Sequence, residues 1–144
     1  MSHVATIKVD VLDLDALRAA VEAMGGEFRE GQQTYAWWGT SVGDYPLPAG
    51  FAVEDLGKCE HALRFPGAKY EVGVVRRRDG KPGYALLQDF YSTGNLPAVI
   101  GESGGKLAQA YSREVVRKAA RRAGHSVSES VQADGSIVLR VRAS

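Results

Sequence analysis

The sequence contains one cysteine, Cys59, and three histidines, and this limits the kinds of site that it can build. A lone cysteine cannot form a disulfide within the chain, in agreement with a reducing compartment. A structural zinc site takes about four Cys or His ligands, and beyond Cys59 and His61 only His3 and His125 remain. We therefore predict no metal site and no cofactor, and we expect Cys59 to be a buried, unreactive side chain.

The sequence also lacks any apolar run near the roughly 20 residues that a membrane-spanning helix needs. It opens with a strand-like segment instead of a signal peptide. Its 144 residues, 44% of them hydrophobic, match the size of one ordinary globular domain that can bury a core. We predict a single domain over residues 1–144, no membrane partner and a cytoplasmic location.

The glycine cluster VIGESGGKL at 99–107 lacks two residues of the nucleotide-binding P-loop. That motif needs a glycine where Ile100 stands and a serine or threonine where Leu107 stands. We predict instead a turn into a helix that begins at Lys106, because glycine adopts positive φ at no steric cost. The turn glycines are Gly101, Gly104 and Gly105. Two weaker alternatives stay open for this segment. In the first, the backbone amides at the start of the helix bind an anion beside Lys106. In the second, the loop closes over a ligand that is bound elsewhere.

Hydrophobic spacing in the first two thirds of the chain predicts one helix among several strands. Residues 3–11 alternate with a period of two, which indicates a half-buried strand whose odd-numbered side chains, including a neutral, hydrogen-bonded His3, point inward. Asp13 precedes a helix that Gly25-Gly26 ends. The helical stripe consists of Leu14, Leu17, Val21 and Met24. Further strands are predicted at 34–38, 61–65, 70–77 and 84–91, the last two joined by an Asp-Gly turn over 78–83.

The last third of the chain predicts a long helix followed by a hairpin. From 106 to 123 every fourth residue forms an apolar stripe beside a basic one. The apolar stripe is Leu107, Tyr111, Val115 and Ala119, and the basic one is Arg113, Arg117 and Arg121. Strands at 127–131 and 137–141 flank a turn at 133–136, with Ile137, Leu139 and Val141 facing inward. The order strand, helix, strands, helix, hairpin predicts an α+β fold with two helices packed on one face of an antiparallel or mixed sheet.

Charge is unevenly distributed along the chain. Residues 1–60 carry 4 Lys/Arg against 10 Asp/Glu, a balance of −6, and residues 106–144 carry 8 against 3, a balance of +5. Such asymmetry indicates an anionic partner on one face or a contact between the subunits of a homo-oligomer. The simpler alternative is that the two halves neutralise each other within one folded chain.

Six short segments spread over nearly the whole chain resemble a known family. They are MSHV at 1–4 with TI at 6–7, CEHALRFPG at 59–67, YEVGVV at 70–75, RDG at 78–80 with PGY at 82–84, KL at 106–107 with QAY at 109–111, and DGSI at 134–137. As a set they are similar to the conserved hypothetical reading-frame family of plastids and cyanobacteria, whose bacterial and phage members are classified as a domain of unknown function (number 1257). The resemblance implies a small stand-alone domain of bacterial or phage origin. It carries no reaction, cofactor or catalytic residue over to this chain.

Aromatic residues and arginines are the strongest candidates for a ligand site. Trp37 and Trp38 point to opposite faces if 34–38 is a strand, so one indole lies outside the main core unless both faces are covered. Arginine forks bind phosphate through paired hydrogen bonds, and exposed aromatic rings stack on flat ligands. The predicted ligand-binding residues are Trp37, Trp38, Arg76, Arg78, Tyr91, Lys106, Arg113 and Arg117. The alternatives are a tryptophan buried under the irregular loop at 39–50 and a solvated hairpin tip.

Two classes of function follow from these residues. The first is a non-enzymatic binding protein that holds a small anionic, phosphate-bearing, nucleotide-like ligand, with sequestration of that ligand as one role. Nucleic acid ranks below it, because the net charge of +1 lacks the strongly basic balance of nucleic-acid modules. The alternative is a nucleotide-directed hydrolase or transferase that uses Cys59, His61 or Asp89, or an adaptor for a protein partner. We favour binding, because no general base is paired with an evident nucleophile or metal.

Overall fold

The computed structural model describes residues 3–41, 43 and 45–143, and its architecture is α+β, as the sequence predicts. The strands of the main sheet are β1 (Val4–Thr6), β2 (Glu27–Arg29), β3 (His61–Arg64), β4 (Val72–Arg76) and β5 (Tyr84–Asp89). They are antiparallel, in the order β1, β5, β4, β3, β2. The helices are α1 (Leu14–Ala23), α2 (Leu96–Ile100) and α3 (Gly105–Arg122). A separate two-stranded sheet pairs β6 (His125–Val131) with β7 (Ile137–Ala143).

Helices α1 and α3 pack against each other and contribute to the core on one face of the main sheet. Asp13 begins α1, because its Oδ1 accepts a hydrogen bond from the amide of Ala16 at 3.1 Å. Its other carboxylate oxygen accepts one from Lys118 of α3 at 2.7 Å, and this bond is the main reason that the pKa of Asp13 is lowered. Leu17 and Val21 are fully buried, as predicted. None of the described helices is long and apolar enough to cross a membrane.

The buried side of α3 differs from the predicted stripe in its second half. Leu107 and Tyr111 are buried, as expected, but Val115 is 37% exposed and Ala119 is also exposed. The buried positions continue instead through Glu114 and Ala120. A step of four residues exceeds one helical turn of 3.6 residues, so a stripe of spacing four rotates away from the core within a few turns.

The opposite face of the sheet is covered by irregular chain instead of helices. A second core cluster lies there, with Val4, Tyr35, Leu56, Cys59, Ala62, Val75 and Leu87 buried. The ring of Tyr35 lies directly on Gly73 of β4, where an added Cβ would come within 2.4 Å of Tyr35 Cδ1. Both faces of the central strands are therefore buried. The prediction places two helices on one face and does not include a cover for the other face.

The strand predicted at 34–38 is wrong. Only Thr34 forms a β-bridge there, with Lys58, and the second strand in chain order is β2, which pairs with β3. Beyond Thr34 the chain crosses the sheet: the amide of Ala36 donates to Glu71 Oε1 and that of Trp38 donates to Asp89 Oδ2, both at 2.9 Å. Aromatic residues favour any extended, half-buried segment, so their enrichment does not prove strand pairing.

The first strand is shorter than its alternating sequence predicts. It ends at Thr6, and the amide of Val9 donates to the carbonyl of Ile7 at 2.8 Å, a tight turn that breaks the period of two. Ile7 and Val11 are buried as predicted, whereas His3, Ala5 and Val9 are only partly buried. Val4, on the opposite side, is buried in the second cluster because that face is covered as well.

Both predicted hairpins are present. Strands β4 and β5 pair around the turn at 77–83, and β6 and β7 pair in full register from His125 opposite Ala143 to Val131 opposite Ile137. Val141 lies on the same face of the hairpin as Ile137 and Leu139, as predicted, but 45% of it is exposed, whereas Ile137 and Leu139 are half-buried. The small sheet packs mainly against α3.

The glycine cluster makes the predicted turn before α3, except that Gly105 is already the first residue of the helix, with φ of −60°, so α3 begins one residue before Lys106. Gly101 and Gly104 have φ of 89° and 73°, and Ser103 between them has φ of 53°. Gly104 is buried, and a Cβ placed there would lie 2.7 Å from side-chain atoms of Ile7. The loop therefore packs against the chain that follows β1, and this close contact does not favour the lid-like closure considered above.

Candidate functional site

A cleft of about 660 Å³ opens beside the end of β1. Four parts of the chain meet there: residues 6–10, the loop at 49–51, the hairpin from 77 to 85, and the middle of α3. The side chains that carry charge or an aromatic ring are Lys8, Asp10, Phe51, Arg77, Arg78, Asp79, Tyr84 and Tyr111. The volume falls in the range of roughly 300–1,000 Å³ that is usual for small-molecule sites.

Arg77 has a structural role at the rim of this cleft. Its Nη1 donates to Asp10 Oδ1 at 2.6 Å and its Nε to Asp79 Oδ1 at 3.1 Å, while Nη2 bonds the other oxygen of Asp79. The hydrogen bonds from Arg77 are the main reason that the pKa of Asp79 is lowered to about 2. All three nitrogens of the guanidinium are thus used by the carboxylates of Asp10 and Asp79.

Arg78 and Lys8 keep donors available to a ligand. Arg78 uses Nη1 for Asp55 Oδ2 at 2.8 Å and for the carbonyl of Gly50 at 3.4 Å, which leaves Nε and Nη2. Its guanidinium lies 4.4 Å from the ring centre of Phe51, so the planar group is held over an aromatic face. Lys8 is exposed and makes no ion pair with any carboxylate in the described part of the chain. Both cations line the same cleft.

A second cluster, made of aromatic rings, lies around Asp89 at the other end of β1. The rings are His3, Trp38, Tyr45, Phe90 and Tyr91, with neighbouring centroids between 5.0 and 5.9 Å apart. Asp89 is fully buried beneath them, and its carboxylate accepts hydrogen bonds from the amides of His3, Tyr91 and Trp38 at 2.9–3.1 Å. This carboxylate organises the local backbone and is not accessible as a general base.

The aromatic residues that were expected to form one site lie in two different places. Trp38 is 47% exposed and contacts Tyr91 edge to face at 5.9 Å. Trp37 instead packs within the second core cluster, with its indole over Gly57, where a Cβ would lie 2.4 Å from Nε1. The sequence predicts that one indole lies outside the core, and the structure shows that this indole is Trp38. Neither tryptophan is in a strand.

The predicted cationic residues do not meet at one site either. Arg76 is exposed and lies over the ring of Tyr84 at 5.5 Å, and Lys106 is exposed at the start of α3. Arg113 and Arg117 both pair with Glu129 of β6, which faces α3. Of the predicted cations, Arg78 alone lines the cleft. The two helix arginines thus share one carboxylate, which a hairpin that folds back along α3 brings to them.

Cys59 and His61 lie on opposite faces of the sheet. The thiol of Cys59 donates to the carbonyl of Gln32 at 3.2 Å within the second cluster, whereas His61 accepts from the amide of Gly31 at 2.9 Å and contacts Phe28. The amide of Glu60 donates to the carbonyl of Val74, and His61 is paired with Val74 as well. Two consecutive residues thus lie opposite one residue of β4, as in a β-bulge. The nucleophile–base pair considered from the sequence is not formed. No group of three potential metal ligands occurs among the described residues.

We expect Cys59 to be unreactive in the folded protein. Burial raises the pKa of its thiol to about 12, and only the thiolate is nucleophilic. An excess of Ellman's reagent at pH 8 should therefore release almost no thionitrobenzoate, and one equivalent should appear when urea is added. Rapid stoichiometric reaction of the native protein at pH 8 would contradict the inert assignment and would restore Cys59 as a candidate nucleophile.

Sequence reasoning missed Lys8, Phe51 and Tyr84 as lining residues of the cleft. Lys8 stands in an alternating segment where a solvent-facing lysine is unremarkable, and Phe51 follows an irregular Gly/Pro-rich stretch. Their proximity depends on the loop at 49–51 lying beside the end of β1. No local pattern encodes that contact.

Comparison with known proteins finds no protein-family model, no curated protein and no solved structure that matches the chain significantly. The resemblance to the plastid and cyanobacterial reading-frame family therefore stays a prediction, as do self-association and the bacterial or phage origin.

Proposed function

We propose that this protein binds a small anionic ligand of nucleotide size in the cleft beside residues 6–10, without changing it chemically. The observation that carries the proposal is that Lys8 and Arg78 line one cleft with donors that the described carboxylates leave available. Ammonium and guanidinium groups are the usual protein partners of phosphate oxygens.

The charge balance of the cleft favours a ligand with few negative charges. Lys8, Arg77 and Arg78 face two carboxylates, Asp10 and Asp79, so the lining carries an excess of a single positive charge. Arg77 is committed to those carboxylates, and phosphate recognition is left to the other two cations. A monophosphate therefore suits the cleft better than a triphosphate, whose additional charge would be placed near Asp10 and Asp79.

The walls of the cleft offer an apolar surface for the remainder of the ligand. Val9 and the rings of Tyr84 and Tyr111 line it, and the hydroxyl of Tyr111 is fixed because it accepts from the amides of Leu12 and Asp13 at 3.0 and 3.2 Å. Rigid aromatic rings bind flat groups at a low entropic cost. A nucleoside monophosphate combines a flat ring with one phosphate and so matches both parts of the lining.

Binding without reaction is favoured by the acid–base groups of the cleft. Its two carboxylates are held by Arg77, and the pKa of Asp79 is lowered to about 2, which makes it a weak base. Neither Cys59 nor His61 lines the cleft.

Isothermal titration with nucleoside monophosphates, cyclic nucleotides and inorganic phosphate should show saturable binding of at least one nucleotide. We expect Lys8→Gln and Arg78→Gln each to weaken that binding about tenfold or more, because a charge-assisted hydrogen bond contributes roughly 1.5–3 kcal/mol. Chromatography of the recovered ligand should show it unchanged; a converted ligand would favour the hydrolase or transferase alternative.

Lys106→Gln is the matched control, since it removes one exposed lysine at the glycine cluster and outside the cleft. It should bind as the wild type does. Loss of binding in this variant alone, together with magnesium-dependent affinity for nucleoside triphosphates, would contradict the cleft and restore the glycine cluster as a phosphate loop. Absence of binding by every anion tested would end the proposal.

A further inference from the structure

The hairpin of β6 and β7 has two chemically different faces. Side chains alternate along each strand, and Glu129 contacts Arg113 and Arg117 of α3, so the odd-numbered residues face the helix. The even-numbered residues form the outer face and are all exposed: Ser126, Ser128, Ser130, Val138, Arg140 and Arg142. The outer face thus carries two arginines and three hydroxyl groups.

The strand register places these groups beside each other. Ser126 is paired with Arg142 and Ser128 with Arg140. The two arginines are two residues apart on one strand, about 6.6 Å along it, and neither makes an ion pair with a described carboxylate. Within residues 121–143 the two carboxylates lie elsewhere: Glu129 faces the helix, and Asp134 is in the turn, where it accepts from Ser136 at 2.6–2.9 Å.

We propose that this outer face docks on the sugar–phosphate backbone of duplex nucleic acid. Guanidinium and hydroxyl groups are donors to phosphate oxygens, and the two arginines are placed to reach successive phosphates along one strand. The face carries no aromatic side chain on which an unpaired base could stack, so it lacks the usual element of single-strand recognition. At the turn end of this face the amide side chain of Gln132 donates to Ser130 at 3.1 Å. Contacts to phosphates carry no sequence information, so we expect binding through this face to be independent of base sequence.

Neighbouring charges support a local electrostatic site on a nearly neutral protein. Arg121 and Arg122 end α3 directly before the hairpin, both exposed and without a carboxylate partner in the described chain. The whole chain carries a net charge of only +1, so attraction comes from this region and not from the molecule as a whole. Affinity in the range of non-specific binding, a Kd of roughly 10⁻⁴–10⁻⁶ M, follows.

The experiment is fluorescence anisotropy of a short labelled DNA duplex titrated with the protein at several salt concentrations between about 50 and 200 mM. The double variant R140Q/R142Q should bind roughly tenfold or more weakly at the lowest salt. The slope of log affinity against log salt should fall by about two, because each lost phosphate contact removes roughly 0.9 from it. Circular dichroism melting should be unchanged, since both side chains are exposed.

The control variant R64Q/K69Q removes the same charge from two exposed cations outside the hairpin. It should retain the wild-type affinity and slope. An equal loss in both double variants would reduce the effect to general electrostatic attraction and overturn the proposal. Tighter binding of a single strand than of the duplex would overturn it as well, and so would a wild-type protein that binds neither.

Discussion

Replacing Gly104 with alanine should destabilise the protein by about 3 kcal/mol and lower its melting temperature by about 10 °C. The φ of Gly104 is 73°, and holding a residue with a Cβ in the left-handed region costs roughly 1–2 kcal/mol. The new Cβ would also lie 2.7–2.8 Å from three side-chain atoms of Ile7, which is itself fully buried. Overpacking of this kind adds roughly 1–3 kcal/mol.

Gly105 is the matched control for this substitution. It is the next residue, its φ is −60°, and a Cβ there would meet no atom within 4 Å. Gly105→Ala should leave stability unchanged or raise it by up to about 1 kcal/mol, because alanine loses less backbone entropy in a helix. Urea unfolding of the two variants measures both effects. Equal stabilities of the two variants would contradict the packed, left-handed position of Gly104.

Replacing Leu107 with alanine should cost roughly 2–5 kcal/mol, as expected for a fully buried leucine whose removal leaves a cavity. Its surroundings come from α1, α3 and the main sheet, which limits how far the site can collapse. The matched variant is Val115→Ala, about two turns further along α3, where the side chain is 37% exposed. That change should stay within about 0.5 kcal/mol.

Comparison of these two variants tests which side of α3 faces the core. The sequence alone places Leu107 and Val115 on one apolar stripe and predicts similar losses, whereas the fold predicts losses that differ several-fold. Guanidinium unfolding with a common m-value is the measurement. A costly Val115→Ala would mean that the helix is rotated toward the predicted stripe.

The candidate site shows where reasoning from sequence succeeds and where it ends. The sequence predicts Arg78 as an anion ligand because an arginine fork can bind phosphate, and Arg78 does line the cleft. The same argument predicts Arg113 and Arg117, yet both pair with Glu129. The sequence contains Glu129 but not the return of the hairpin along α3 that brings its carboxylate to them. Whether a charged side chain can bind a ligand depends on which residues lie next to it in the folded structure.

The same limit applies to Trp37 and Trp38. Their adjacency shows that they cannot both point the same way on a strand, and the prediction that one is less buried needs no tertiary information. The structure selects Trp38 as the exposed one, because the chain crosses the sheet and places the other indole over Gly57. That selection depends on Gly57 lacking a side chain and on both faces of the sheet being covered.

The sequence by itself determined the elements that depend on neighbours within a few residues. The cap at Asp13, the long helix ended by Gly124, the turns that contain Asp-Gly pairs and the positive φ of Gly101 and Gly104 are all local consequences of side-chain chemistry and backbone sterics. Only the tertiary structure decided which face of α3 is buried, which strand follows α1, on which sides Cys59 and His61 lie, and which cations stay unpaired. These features arise from contacts between segments distant in the chain, and burial and ion pairing depend on such contacts more than on local propensity.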